Sequence, residues 1–157
     1  MIFGVLHKVR TLEEVNELAL ELDLLLTSIY ESGERGFDSV LKHKVRSWVA
    51  LNIATEVAGS KLSKEAYLKQ LKATLEQLAK VDMTIAFEPT DAFIDEILHF
   101  LRGVLGESVV IDLKVDKSLL GGVLVSYKGK YKDFSLLKVF NNEAPQLDGL
   151  IVERLAK

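Results

Sequence analysis

At about residue 80 the apolar period of this chain changes from helical to two, and that switch restricts the fold more than any other feature. Before it, Leu12, Val15, Ala19, Leu22, Leu26 and Ile29 recur three and four residues apart, with Leu18 and Leu25 broadening the stripe. This is the spacing of one face of a helix. Thr11-Leu12-Glu13-Glu14 opens the run as a capping box, Thr11 taking the Glu14 amide while the Glu14 side chain reaches back. Gly33 and Gly36 are expected to end it. Phe37, Leu41, Val45, Trp48, Val49, Ile53 and Val57 predict a second helix over residues 37–58, apolar enough to touch more than one neighbour. Ser63 caps a third helix, whose Leu68, Leu71, Leu75 and Leu78 form a narrow stripe. Amphipathic helices in this succession predict an antiparallel bundle.

Beyond the switch, Val81, Met83, Ile85 and Phe87 alternate with polar or small residues until Glu88-Pro89, the pattern of a half-buried strand running into a turn. Thr90 or Asp91 caps a helix over 91–105 whose buried face is Ile94, Ile97, Leu98, Leu101, Val104 and Leu105, ended by Gly106. Val109, Ile111, Leu113 and Val115 mark the next strand. Gly121-Gly122 leads into Val123–Tyr127, and Lys128-Gly129 is a two-residue hairpin turn into 130–134. Leu136, Leu137, Val139 and Phe140 start a short helix broken by Asn141, Asn142 and Pro145, and Leu147, Leu150, Ile151 and Leu155 follow in a tail. The expected fold is α+β. A helical bundle, 1–80, is joined closely to a small β-α-β-β-β domain with a C-terminal helix or tail, 81–157.

Apolar residues at 48% against 27% charged describe a packed globular chain, and a formal charge of −3 offers no global attraction for nucleic acid or anionic lipid. With no cysteine, disulfides, thiolate metal sites and cysteine nucleophiles are excluded. His7, His43 and His99 lie in separate segments without a partner at ligand spacing, so no metal site is expected. Neither a phosphate-cradling glycine loop nor a serine elbow occurs, and Asp95, Glu96, Asp112, Asp116 and Asp133 read as helix-face or turn-capping charges. No enzyme activity and no cofactor are expected. Lys42-His43-Lys44-Val45-Arg46 could form a local basic patch for nucleic acid, but interspersed acids and the lack of a stacking platform favour a solvated helix face. No apolar run approaches the roughly 20 residues that span a bilayer, and the N-terminus lacks a signal-peptide pattern, so a cytoplasmic chain is expected.

Val115, Asp116, Ser118, Leu119, Leu120, Gly121 and Gly122, followed by Asp133, Ser135 and Leu136, resemble the C-terminal signature of the F-type ATP synthase delta subunit family, whose mitochondrial counterpart is the oligomycin-sensitivity-conferring protein. In that family a strand runs through a V-D-x-S-L-I-G-G turn into a hairpin, and an I-D-G-S-L ending starts a final helix. Phe134 stands where the family has glycine, and the helical half here is shorter than the family's. The resemblance implies a non-catalytic part of the peripheral stalk. Its helical domain would cap the alpha/beta head, and its C-terminal domain would hold the C-terminal helices of the b subunits. The location would be peripheral, on the cytoplasmic face of an energy-transducing membrane, with no nucleic acid as partner. Leu18, Leu22 and Leu25 would then serve the head-facing side, and Ile97, Leu101 and Val125 the stalk-facing domain. The alternatives are a stalk subunit of a V- or A-type ATPase, whose long N-terminal helix the glycines at 33, 36 and 59 argue against, and a small nucleic-acid-binding or regulatory module using the Lys42–Arg46 patch.

Overall fold

A computed structural model describes residues 4–135. In chain order it contains α1 (Gly4–His7), α2 (Leu12–His43), α3 (Ser47–Gly59), α4 (Lys64–Glu76), β1 (Ala79–Ile85), α5 (Asp91–Leu105), β2 (Val109–Val115), a 3₁₀ turn (Lys117–Leu119), β3 (Val123–Tyr127) and β4 (Lys130–Asp133). The fold is α+β, as the change of period requires. The C-terminal helix and tail expected after Ser135, and with them Leu136, lie outside the described residues.

Helix α2 starts where the capping box puts it, with the Glu14 amide donating to Thr11 Oγ1 at 3.3 Å. The returning Glu14 carboxylate reaches one residue further than expected and accepts from the Arg10 amide at 2.7 Å. Of the two glycines expected to end this helix, only Gly33 interrupts it. Its φ of 63° and ψ of −149° belong to a region open essentially to glycine, and the helix kinks there. Gly36 is helical instead. A Cβ on it would stand 2.6 Å from the Ser28 carbonyl oxygen, so its missing side chain lets the two arms approach. The helix expected over 37–58 is accordingly split, its first part closing α2 and its second forming α3. The break at Lys44-Val45-Arg46 is held from a distance: Val45 turns into the core, and the Arg46 amide donates to Glu21 Oε1 at 2.8 Å.

Leu18, Leu22 and Leu25 of α2, Val49 and Ile53 of α3 and Tyr67, Leu68, Leu71 and Leu75 of α4 meet in one helical core. Glu56 ties its edge, accepting from the Tyr67 hydroxyl at 2.8 Å and from the Val5 amide at 3.2 Å. Burial foremost, and this hydrogen bond next, push the Tyr67 phenol above its ordinary value. The same bonds anchor α1, an element whose four residues are too few to leave a periodic signal.

Only Gln77 and Leu78 separate α4 from β1. The sheet runs in the order β2-β1-β3-β4, with β1 parallel to β2 and the other pairs antiparallel. β1 begins two residues before the expected Val81 because Ala79 and Lys80 pair with Val109 and Val110. It stops at Ile85, leaving Phe87 outside the sheet and 45% exposed. Helix α5 has the expected bounds, capped by Thr90 Oγ1 accepting from the Phe93 amide and closed at Gly106 with φ of 101°. Its Leu98 packs with Val81, Met83, Val109 and Ile111 to make a second core on one face of the sheet. On the opposite face, Val110 is buried in the helical core. Lys128 and Gly129, with φ of 48° and 77°, make the two-residue turn between β3 and β4.

Candidate interaction surfaces

The turn between β2 and β3 contains the residues that carried the family resemblance. Asp116 accepts the Ser118 amide on its Oδ1 at 2.9 Å, and the Leu119 amide returns to the Asp116 carbonyl at 3.3 Å. Leu119 is buried, and Leu120 takes a left-handed φ of 60°. Gly122 has φ of 84°, and a Cβ on it would fall on the Phe134 carbonyl oxygen and stand 2.7 Å from Ser135 Cα. Phe134 in turn donates to the Val123 carbonyl at 2.9 Å, and the Ser135 amide donates to Asp133 Oδ1 at 2.8 Å. The two parts of the signature, separated by the hairpin in sequence, therefore close on each other in space. Phe134, standing where the family has glycine, points to solvent at 60% exposure, and the closure goes through the backbone around it.

The hydrogen bonds from Ser118 hold the Asp116 carboxyl below its ordinary value of 3.8, the side-chain bond acting most. A depressed carboxyl favours the folded turn at neutral pH, and that contribution fades as pH falls through the folded-state value. Carboxyl-carbon NMR should accordingly place the Asp116 midpoint below 3.8, and Ser118→Ala should move it upward. An unmoved midpoint would remove Ser118 as the cause.

The residues expected on the two binding sides are distributed differently from their stripes. Leu18, Leu22 and Leu25 are each 0% exposed, inside the helical core rather than on its surface. The outward leucines of the same helix are Leu20, 67% exposed, and Leu24. Ile97, Leu101 and Val125 are partly buried and pack against the sheet core, beneath a surface rather than on it. The surface itself is formed on α5 by Phe93, Phe100 and Val104, and Val104, expected on the buried face of this helix, faces solvent instead. Phe100 is 68% and Val104 66% exposed, and Phe93 meets Phe87 edge to face at 5.0 Å.

The charged candidates resolve into local partnerships. Arg46 is drawn out of the 42–46 patch: its guanidinium donates to Glu21 Oε1 and Oε2, each at 3.0 Å, and to Glu17 at 2.6 Å, and lies 5.2 Å from the Trp48 ring centre. The bond to Glu21 foremost raises its pKa. Asp112 and Asp82 share Lys80. His7 and His99, from separate segments, line one groove of about 510 Å³ with Lys8, Arg10, Asp95 and Glu107. Among the described residues no group of three or more His, Asp or Glu side chains is arranged to hold a metal ion.

The ATP synthase delta (OSCP) subunit family model matches residues 62–147, more than half of the chain. This chain belongs to that family. The match enters just before α4 and runs through α5, the signature turn and the hairpin. Among its curated relatives, the ATP synthase subunit delta of Alcanivorax borkumensis is 38% identical over 79 residues, 50% of this chain and 44% of that protein. That of Methylorubrum populi is 35% identical over 65 residues, 41% of this chain and 34% of its own length. That of Brucella ovis is 35% identical over 71 residues, 45% and 38% respectively. The chain thus spans less than half the length of these delta subunits.

Proposed function

We propose that this delta-family chain is a non-catalytic stator component of an F-type ATP synthase, joining the alpha/beta head to the b-subunit stalk. The observation that carries the reading is the position of the family match, which ends a contiguous helical core and then covers the whole sheet with its closed signature turn. In this reading the solvent-facing Phe100 and Val104 of α5 receive an amphipathic helix of the b subunits, the mode in which helical stripes pack ridge against groove. The helical half, through the outward Leu20 and Leu24 of α2, faces the head. The two halves, 1–80 and 81–157, act as the two ends of one connector. No helix among the described residues is long and apolar enough to cross a membrane, and attachment on the cytoplasmic face of the membrane would come through the complex. The reading as a nucleic-acid module loses its main cation, since Arg46 is held by two glutamates.

Co-purification of the tagged chain from its native membranes tests this directly. Recovery of alpha, beta and b subunits is expected, and recovery of the chain without them would overturn the assignment. A Phe100→Glu variant should keep the wild-type fold, since the side chain is already in water, and lose most of its b-subunit yield. A b-subunit yield equal to wild type would move the stalk contact off α5.

A further inference from the structure

The segment between α1 and α2 links the two halves a second time, in addition to the two-residue connection at Gln77 and Leu78. Its backbone joins the sheet: the Ile111 amide donates to the Arg10 carbonyl at 3.0 Å, and Thr11 bridges Ile111 in parallel. Val9 within it and Val5 of the preceding α1 are fully buried in the helical core. Two arginines close it from opposite directions. Arg102 of α5 donates from its two terminal nitrogens to the His7 carbonyl at 3.0 Å and the Val9 carbonyl at 2.9 Å. Arg10 reaches from the segment to Asp95 and Asp91 of α5, each at 3.1 Å, while Glu14 at the start of α2 holds its other edge.

We propose that residues 7–11 are a clasp that makes the helical half and the sheet half one cooperative body with a fixed relative placement, locked by Arg10 and Arg102. Small units joined by a short linker ordinarily move against each other unless their interface is extensive. Here the linker is replaced by a strand-like pairing and by hydrogen bonds from ionised donors, which are roughly twice as strong as neutral ones. The two terminal nitrogens of Arg102 occupy two carbonyls that a lysine would not hold together. The inference rests on these contacts alone and stands whatever the chain binds.

The test uses the full chain in urea, with two probes read together. Trp48 fluorescence reports the helical half, and hydrogen exchange of the β1 amides at Val81 and Met83 reports the sheet. Coincident midpoints are expected for the wild type, since coincidence of independent probes marks one cooperative unit. In Arg10→Ala with Arg102→Ala the midpoints should separate, and the β1 amides should exchange faster, by about tenfold or more, relative to the amides of Leu68 and Leu71 in α4. Separate midpoints in the wild type, or coincident ones in the double variant, would overturn the clasp. If the double variant fails to fold, Arg102→Lys replaces it; a smaller separation in the same direction supports the proposal, and none refutes it. Lys72→Ala, which removes an exposed partner of Asp23 within the helical half, serves as the control that should leave the midpoints together.

Discussion

Replacing Gly122 with alanine is expected to cost on the order of 3 kcal/mol or more and to release the closure of the signature turn. Two effects add. The φ of 84° is unfavourable for any residue bearing a Cβ, and the new methyl would fall on the Phe134 carbonyl oxygen, a backbone atom that cannot swing aside. The Phe134 amide, bonded to the Val123 carbonyl, should lose most of its hydrogen-exchange protection. Gly129→Ala isolates the first effect. Gly129 has a similar φ of 77°, but nothing lies within 4 Å of its Cβ position, so only the backbone term of about 1–2 kcal/mol remains. Equal losses at the two glycines would show that the close approach at Gly122 contributes nothing.

Leu22→Ala should destabilise the chain by about 2–5 kcal/mol, against total stabilities of roughly 5–15 kcal/mol for domains in general. Leu22 is fully buried in the helical core that α2 shares with α3 and α4, so its truncation removes apolar contacts that water cannot replace. Leu20→Ala, two residues away on the solvent side, should change stability by no more than about 0.5 kcal/mol. Urea denaturation of both variants decides the matter, and a similar shift in the two midpoints would contradict the inside and outside faces assigned to α2. A partner contact at the head side would reverse the order in a binding assay, with Leu20 the more sensitive position.

These two comparisons also mark how far a one-dimensional reading reaches. The sheet half was legible almost residue by residue, because its signals are local. Thr90 caps α5 three residues ahead of the amide it accepts, Gly106 ends the same helix, and Lys128-Gly129 supplies two positive φ angles in succession. The α+β class followed from the change of period alone. The breaks in the helical half were less legible because distant residues set them. Nothing in Lys44-Val45-Arg46 resembles a helix stop; the stop is made by Glu21, 25 residues earlier, taking the Arg46 amide. Gly36 resembled a terminator, yet it serves a close approach between two arms of one helix. The same limit applies to the binding surface. Periodicity located the apolar residues of α5, but which of them face the sheet and which face water depends on how the helix lies over β1 and β2. Arg10 and Arg102, whose partners across the halves are 81–95 residues away, left no local pattern at all.

The pairing of Ile111 with Arg10 and Thr11 has a further effect on the outer margin of the sheet. β2 is the terminal strand on that side, and a terminal strand presents a row of unsatisfied amides and carbonyls that templates association with other chains. The N-terminal segment occupies part of that row, and the helical half hides Val110. A fragment cut to begin at Ala79 would uncover both at once, offering a bare edge beside an apolar patch. The amino-terminal residues thus cover part of an edge that a carboxy-terminal fragment without them would present to other chains.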